Sequence, residues 1–258
     1  MFNKILLTLA FSLLSFNSFN LFAIQDDRLD ELPFDEEPLE EPTKNYFAIG
    51  GGVTTSFLFL NFDDANSFFK IKDGNKFKEL TSPIFMTGGQ GFTGLPWVPN
   101  LRIGIHGMSG TSSVNYENSP TEKKQIDYSV SSLGLSLDYG FIVTKSLAVL
   151  PGIGVNWGTT SINYITNSAD LDWNTPNTLV NSNITNMESN YLVLQPSVNV
   201  EWAALDYLMV RFAGGYNYQL SSGDWTFNKN DKVNNAPSGL NVSAPYAQIG
   251  LFLGLFNY

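Results

Sequence analysis

The sequence predicts an all-β fold, an eight-stranded antiparallel up-and-down barrel, and three observations lead to it. Only 15% of the 258 residues are charged, whereas 43% are hydrophobic. Apolar and polar residues alternate with a period of two in eight separate segments, which is the pattern of a half-buried strand. Short and long connections alternate between these segments. An antiparallel order therefore places the short turns at one end of the sheet and the long loops at the other.

Composition excludes several classes of protein. A disordered chain needs low hydrophobicity and high charge, and a chain with no Cys has neither disulfides nor a thiolate metal site. Beyond the N-terminus, no apolar run approaches the roughly 20 residues that a membrane-spanning helix needs. A net charge of −10 argues against nucleic-acid binding. No metal or cofactor is predicted, since the glycine-rich segments lack the spacing of a phosphate loop.

Residues 1–23 are predicted to be a secretory signal peptide. Lys4 precedes the apolar run Ile5–Phe16, and Ala23 offers a small residue for cleavage. The apolar run is too short for an anchor helix, and polar residues follow it. The mature chain is therefore expected outside the cytoplasm.

Residues 24–45 form an acidic linker that contains proline. The segment contains nine Asp and Glu residues but only two basic residues, Arg28 and Lys44, so most of the net charge of the chain lies here. Such a segment cannot pack a core. It is predicted to be a periplasmic linker, acting either as a solvated tether or as an acidic docking segment for a basic partner or a cation.

Residues 46–258 carry the predicted barrel. In Ser132–Tyr139, for example, every second residue is Leu or Tyr, and the residues between them are Ser, Gly and Asp. This alternation defines one apolar face and one polar face. The eight predicted strands are Tyr46–Ser56, Ile84–Phe92, Leu101–Met108, Ser132–Tyr139, Leu147–Gly158, Tyr191–Trp202, Leu208–Tyr218 and Tyr246–Phe256.

The connections set the orientation of the predicted barrel. Three are short, at residues 93–100, 142–146 and 203–207. Four are long and rich in Asn, Ser, Asp and Lys, as a solvated surface requires. These predicted long loops are Asn61–Leu80, Asn115–Ile126, Ile165–Met187 and Gln219–Asn241.

The polar face of the strands indicates which side meets lipid. A soluble barrel would place Lys and Glu outside, whereas here the second face is Gly, Ser, Asn and Gln with isolated charges. Small polar residues suit the crowded interior of an eight-stranded barrel, so the apolar face is predicted to contact lipid and the barrel to be transmembrane. Aromatic residues near the strand ends would form two interfacial girdles. They are Trp97, Tyr139, Trp202 and Tyr207 at the turn end and Trp157, Tyr216 and Tyr218 at the loop end.

With its signal peptide, eight strands, four long loops and apolar-aromatic terminus Leu251–Tyr258, the chain resembles small bacterial outer-membrane β-barrel proteins of the OmpA-transmembrane, OmpX and OmpW type. The resemblance is architectural and covers residues 46–258. It implies outer-membrane lipid and the barrel-insertion machinery as partners, in the outer membrane of a Gram-negative-type envelope. It also implies a C-terminal insertion signal formed by Phe252, Phe256 and Tyr258.

Four charged residues fall on the inward parity near the predicted turns. Arg102 and Asp138 lie on consecutive strands, and so do Glu201 and Arg211. Buried charges persist when they are paired, so the residues are predicted to form a salt-bridged plug. The alternative is a gate in which the pairs exchange to open a narrow path.

His106, the only histidine, is predicted to face the interior one step of alternation above Arg102. Some lipid A deacylases resemble this architecture and use a His, a Ser and an acidic residue. Ser109 is the nearest serine, but it lies on the opposite face. The chain is therefore predicted not to be an enzyme.

The sequence leaves three functions open. The first is a non-enzymatic outer-membrane barrel with a structural or surface-interaction role, in which the last two long loops bind an extracellular ligand through Trp173, Trp225 and Phe227. The second is a narrow channel or conduit for small molecules. The third is a soluble periplasmic lipid-binding barrel.

Overall fold

Eight long antiparallel strands form one closed ring in a computed structural model, which describes residues 45–73, 77–119, 122–167, 183–228, 230–236 and 239–257. Each strand pairs with its neighbours in the chain, and the last strand pairs with the first from Phe47–Asn257 to Leu58–Tyr246. The predicted eight-stranded antiparallel barrel is confirmed. The strands are β1 (Phe47–Leu58), β2 (Ile84–Gly94), β3 (Leu101–Ser119), β4 (Glu122–Tyr139), β5 (Leu147–Asn167), β6 (Asn183–Leu205), β7 (Leu208–Ser222) and β8 (Ala244–Asn257).

The predicted signal peptide, residues 1–23, and all but the last residue of the predicted linker, residues 24–45, lie outside the described residues. The described chain begins at Asn45, next to the turn between β2 and β3. There Asn100 adopts a left-handed backbone conformation with φ 65°. The backbone N–H of Tyr46 donates to Asn100 Oδ1 at 2.7 Å, which anchors the entry of the chain into β1.

The turn end of the barrel carries three short connections, at residues 95–100, 140–146 and 206–207. The middle one contains a short strand, Phe141–Thr144, that pairs with the start of β5. The loop end carries the other four connections. The asymmetry between the two ends follows the prediction, with one exception.

That exception is the predicted long loop Asn115–Ile126, which is wrong. β3 runs to Ser119 and β4 starts at Glu122, so these residues form the paired end of a hairpin. β5 and β6 likewise extend beyond their predicted ends, to Asn167 and from Asn183. The outward residues of these extensions are mostly Ser, Thr and Asn, which resemble a loop by composition although the period of two continues.

The first long connection contains a helix, α1 (Asp63–Asp73), although Asn61–Leu80 was predicted as a loop. The side chain of Asn66 fixes the helix against the returning chain, because it accepts from Leu80 N at 2.8 Å and donates to Leu80 O at 3.0 Å. In the part of the chain that the structure describes, no helix is long and apolar enough to span a membrane. Two further short strands, Thr226–Phe227 and Asp231–Lys232, lie in the last long connection.

The structure settles the orientation of β8, whose two faces are both apolar in sequence. Leu251, Leu253 and Leu255 point outward and are exposed, whereas Phe252 points inward and is fully buried. The aromatic residues predicted for the two interfacial girdles lie on the outer surface of the barrel. Trp97, Trp202 and Tyr207 are exposed near the turns, and Trp157 and Tyr218 are exposed further up the barrel.

Candidate functional site

The four charged residues predicted for the interior meet at the turn end of the barrel. Arg102 and Asp138 are direct neighbours in the register of β3 and β4, and Glu201 and Arg211 are direct neighbours in that of β6 and β7. Arg102 Nη2 lies 2.9 Å from Asp138 Oδ2, and Arg211 Nε donates to Glu201 Oε1 at 2.8 Å. Arg102 Nη1 also donates to Glu201 across the lumen. All four side chains are buried, and together they form what we call the charge quartet.

Neutral side chains add further hydrogen bonds to the quartet. The Tyr46 hydroxyl donates to Glu201 Oε2 at 2.8 Å and accepts from Arg102 Nη1 at 3.0 Å. Asn199 Nδ2 donates to Asp138 Oδ1 at 3.1 Å. Arg211 Nη2 lies 2.8 Å from Glu201 Oε1, whereas Arg211 Nη1 has no hydrogen-bond partner among the described residues. Two guanidinium groups and two carboxylates balance in charge, and this pairing is what allows four ionised groups to be buried.

Two phenylalanine rings pack against the guanidinium groups. Arg211 Cζ lies 4.4 Å from the centroid of the Phe92 ring and 4.2 Å from that of the Phe252 ring, and Arg102 Cζ lies 4.6 Å from that of Phe92. These are cation–π distances, which are favourable at a desolvated site. The quartet and the two rings fill the turn end of the lumen.

The residues of the predicted C-terminal insertion signal do not share one environment. Phe252 belongs to the interior, and Phe256 packs half-buried against the same inner cluster. Tyr258 lies outside the described residues. Neither of the two described rings is a lipid-facing residue of β8, because alternation turns the leucines between them outward. The role of these residues as a signal stays a prediction.

His106 faces the interior above the quartet, where a polar chamber begins. Gly134 lies opposite His106 in the register, and Asn156 lies beyond it on β5. A Cβ at Gly134 would collide with Asn156 Oδ1 and come within 2.8 Å of His106 Nε2, so the glycine is what allows these side chains to meet. The chamber has a volume of about 50 Å³, which suits a few waters.

Ser109 lies on the outer surface of β3, on the opposite face from His106. The described residues therefore do not bring the histidine and the nearest serine of the deacylase comparison together.

The loop end of the lumen is closed by an apolar cap. Phe62, which immediately precedes α1, contacts Tyr128 edge-to-face with ring centroids 5.0 Å apart. Phe69 of α1 stacks on Tyr164 of β5 at 5.9 Å, with an angle of 9° between the rings. Buried Leu, Ile and Val residues from the upper strands surround these rings. The barrel interior is therefore filled at both ends, by charge below and by apolar side chains above.

The residues predicted to bind a ligand from the loops have different surroundings. Trp225 is buried in the apolar cap, and Phe227 is half-buried in a short strand that pairs with β6. Trp173 lies outside the described residues. The last long connection thus folds the side chain of Trp225 into the cap, and the binding role of these residues stays a prediction.

The sequence prediction missed several members of the interior. Phe92 and Asn199 lie on the inward parity near the turns, so alternation alone could have placed them beside the quartet. Tyr46 is the first residue of the predicted strand Tyr46–Ser56 and shares the parity of the inward Ala48, so the same alternation could have placed it there. α1 and the apolar cap were also missed, because residues 59–83 show no strand period.

Several solved structures of outer-membrane proteins resemble this chain. A major outer-membrane protein of Thermus thermophilus shares 12% identity and covers 80% of this chain and 99% of its own, with a TM-score of 0.47. CarO2 of Acinetobacter baumannii shares 10% identity over 81% of this chain and 99% of its own, with a TM-score of 0.41. Ail, the attachment invasion locus protein of Yersinia pestis, shares 9% identity over 83% of this chain and 99% of its own, with a TM-score of 0.31.

No protein-family profile and no curated protein matches the sequence. The architecture on which the predicted resemblance rests, a closed ring of eight antiparallel strands, is confirmed.

Proposed function

We propose that the protein is an integral outer-membrane β-barrel with a structural or surface-interaction role and no enzymatic activity. The observation that carries the proposal is a reversal of polarity along the strands. On β4, Leu133, Leu135 and Leu137 point outward and are 42–53% exposed, whereas Ser131 and Ser129 occupy the outward positions above them. On β5 the change comes at the same level, after Trp157. On these two strands the outer surface thus has an apolar belt below and a polar surface above.

The interior reverses in the opposite sense at the same level. Below Ser132 the inward residues of β4 are Ser, Gly and Asp, and above it they are Val130, Tyr128 and Ile126, all of them buried. A soluble barrel would keep its apolar face inside throughout. Here the lower half is apolar outside, which suits lipid, and the upper half is apolar inside, which suits water. This arrangement supports a barrel that spans a membrane and projects beyond it, and it argues against the soluble lipid-binding alternative.

Outer-membrane lipid around the belt and the barrel-insertion machinery are the partners that this proposal requires. A surface-interaction role would use the loop end, which lies furthest from the belt. There α1 exposes Phe68 and Ile71 beside Lys70 and Lys72. Exposed apolar side chains of this kind favour contact with a partner.

Cell fractionation tests the location directly. We expect the protein in the detergent-extracted outer-membrane fraction, where it should migrate faster on SDS gels before boiling than after, because a closed barrel resists SDS. Recovery from the soluble periplasm without detergent would reject membrane integration.

A pair of arginine substitutions on one face of β4 tests where lipid begins. Leu135→Arg places a charge in the belt and should lower the free energy of unfolding in lipid vesicles by about 2–4 kcal/mol. Ser131→Arg, on the same face above the belt, should change it by less than about 0.5 kcal/mol, as surface substitutions usually do. If the two variants lowered the free energy of unfolding equally, the proposed boundary between the apolar belt and the polar surface above it would be wrong.

Closure of the interior at both ends disfavours the channel alternative. We expect no single-channel currents from the purified protein in planar bilayers, with a porin reconstituted in the same way as the positive control. Glu201→Gln combined with Arg211→Gln should also leave the bilayer silent, because the apolar cap still closes the loop end. Reproducible conductance steps from either protein would favour a conduit.

A further inference from the structure

An apolar pocket lies inside the cap at the loop end, between α1, the upper ends of β5 and β6, and the last long connection. Its volume is about 160 Å³. The residues that shape it include Ala65, Phe69, Ile162, Met187, Trp225 and Leu240. It is separate from the chamber above the charge quartet, with which it shares no lining residue.

The walls of the pocket are held in place by contacts outside it. Phe69 is stacked on Tyr164, and Gly239 N donates to Asp64 Oδ2 at 3.0 Å, which joins the last connection to α1. Val233 N donates to Trp225 O at 2.7 Å. The pocket is therefore formed before any ligand arrives, and a ligand would not have to order the site.

The chemistry of the lining selects the kind of occupant. None of the described residues that line the pocket is charged, and Asn234 and Asn235 supply its only polar side chains. Two charged residues, Asp224 and Lys232, lie in an adjoining polar pocket, but they pair with each other at 2.8 Å. A charged ligand would therefore lose its hydration without gaining a free counter-charge in the lining. Water is also a poor occupant, since it needs two to four polar partners.

We propose that this pocket binds a small neutral apolar molecule about the size of a single aromatic ring. An apolar cavity of about 150 Å³ holds benzene, so the volume fits this class. Phe69 and Trp225 offer aromatic faces and edges to a ring, and Met187 offers a thioether. The site opens at the loop end, so a ligand reaches it from outside without crossing the lumen.

Four of the five methionines of the chain lie in the barrel and provide the measurement. Met187 lines the pocket, Met209 is buried near the charge quartet, and Met86 and Met108 line the polar chamber. In full-length protein with ¹³C-labelled methionine methyl groups, titration with benzene should shift the Met187 signal along a saturable curve. The Met209 signal should stay unchanged, because Met209 packs with Phe92 and Phe252 at the turn end and does not line this pocket.

Two variants fill the pocket from opposite sides, and a third serves as the control. Ala65→Leu on α1 and Ala236→Leu on the last connection should each weaken the apparent affinity about tenfold or more. Ser67→Leu adds bulk on the exposed side of the same helix, outside the pocket lining, and should leave the curve unchanged. Heat-modifiable mobility shows that each variant is folded.

An unmoved Met187 signal in the folded protein would overturn the proposal. A shift that rises without saturation and is the same in the filled variants would also overturn it, because benzene would then only be partitioning into detergent.

Discussion

Replacing Glu201 with glutamine should lower the free energy of unfolding by about 3–5 kcal/mol, the usual cost of breaking a buried ion pair. Glu201 lies between Arg102 and Arg211 and contacts both guanidinium groups. Glutamine keeps the shape of the side chain but removes its charge, so that Asp138 alone balances two buried arginines. The measurement is urea unfolding in lipid vesicles, followed by the loss of heat-modifiable mobility.

An exposed ion pair of the same chain is the matched control. Lys232 Nζ lies 2.8 Å from Asp224 Oδ2, but both side chains are at least 60% exposed. Asp224→Asn should therefore cost less than about 1 kcal/mol. If Glu201→Gln cost no more than this control, the charge quartet would not stabilise the turn end.

The quartet can be taken apart one pair at a time because it joins two strand pairs. Adding Arg211→Met to Glu201→Gln removes one charge of each sign and leaves Arg102 beside Asp138 at 2.9 Å. The double variant should be more stable than Glu201→Gln alone, which is the sign of coupling between residues that contact each other. Phe92 and Phe252 would then pack against an apolar side chain in place of a guanidinium group.

The lower half of the barrel could be predicted from the sequence because two signals agree there. Leucine and isoleucine at every second position define the strands, and small polar residues between them define the lumen. The quartet followed from the same logic, since inward parity and nearness to a turn place Arg102 beside Asp138 and Glu201 beside Arg211. Only the contact of Arg102 with Glu201 across the lumen required three-dimensional coordinates.

The upper half could not be predicted in the same way because its polarity is reversed. The outward Ser129 and Ser131 of β4 and the outward Thr159 and Ser161 of β5 have the composition of a solvated loop, yet they continue the strand register. If apolar residues are assumed to mark the outer face throughout, each strand is predicted to end where the apolar belt ends, because the outward residues become polar there. The apolar cap is even harder to predict from local sequence patterns. Phe69 of α1 and Trp225 of the last connection are far apart in sequence, and both belong to segments without a strand period.

Two adjacent glycines of β1 should differ strongly in their tolerance of substitution, because alternation turns Gly52 into the lumen and Gly51 toward lipid. A Cβ at Gly52 would collide with the backbone oxygen of Leu251 and come within 2.8 Å of Phe252 Cα, whereas a Cβ at Gly51 meets nothing closer than 3.7 Å. Gly52→Ala should lower the free energy of unfolding by about 1–3 kcal/mol or more, since the backbone of β8 cannot move aside as a side chain can.

Gly51→Ala is the matched control for this substitution, and it should be neutral or stabilising by about 0.4–1 kcal/mol, as expected when a chain gives up glycine entropy without strain. The two variants change the unfolded chain in the same way, so the difference between their unfolding free energies in lipid vesicles isolates the contact of β1 with β8. That contact closes the ring. Equal values for the two variants would mean that the first and last strands are paired more loosely than their register requires, and the ring would then open most easily between them.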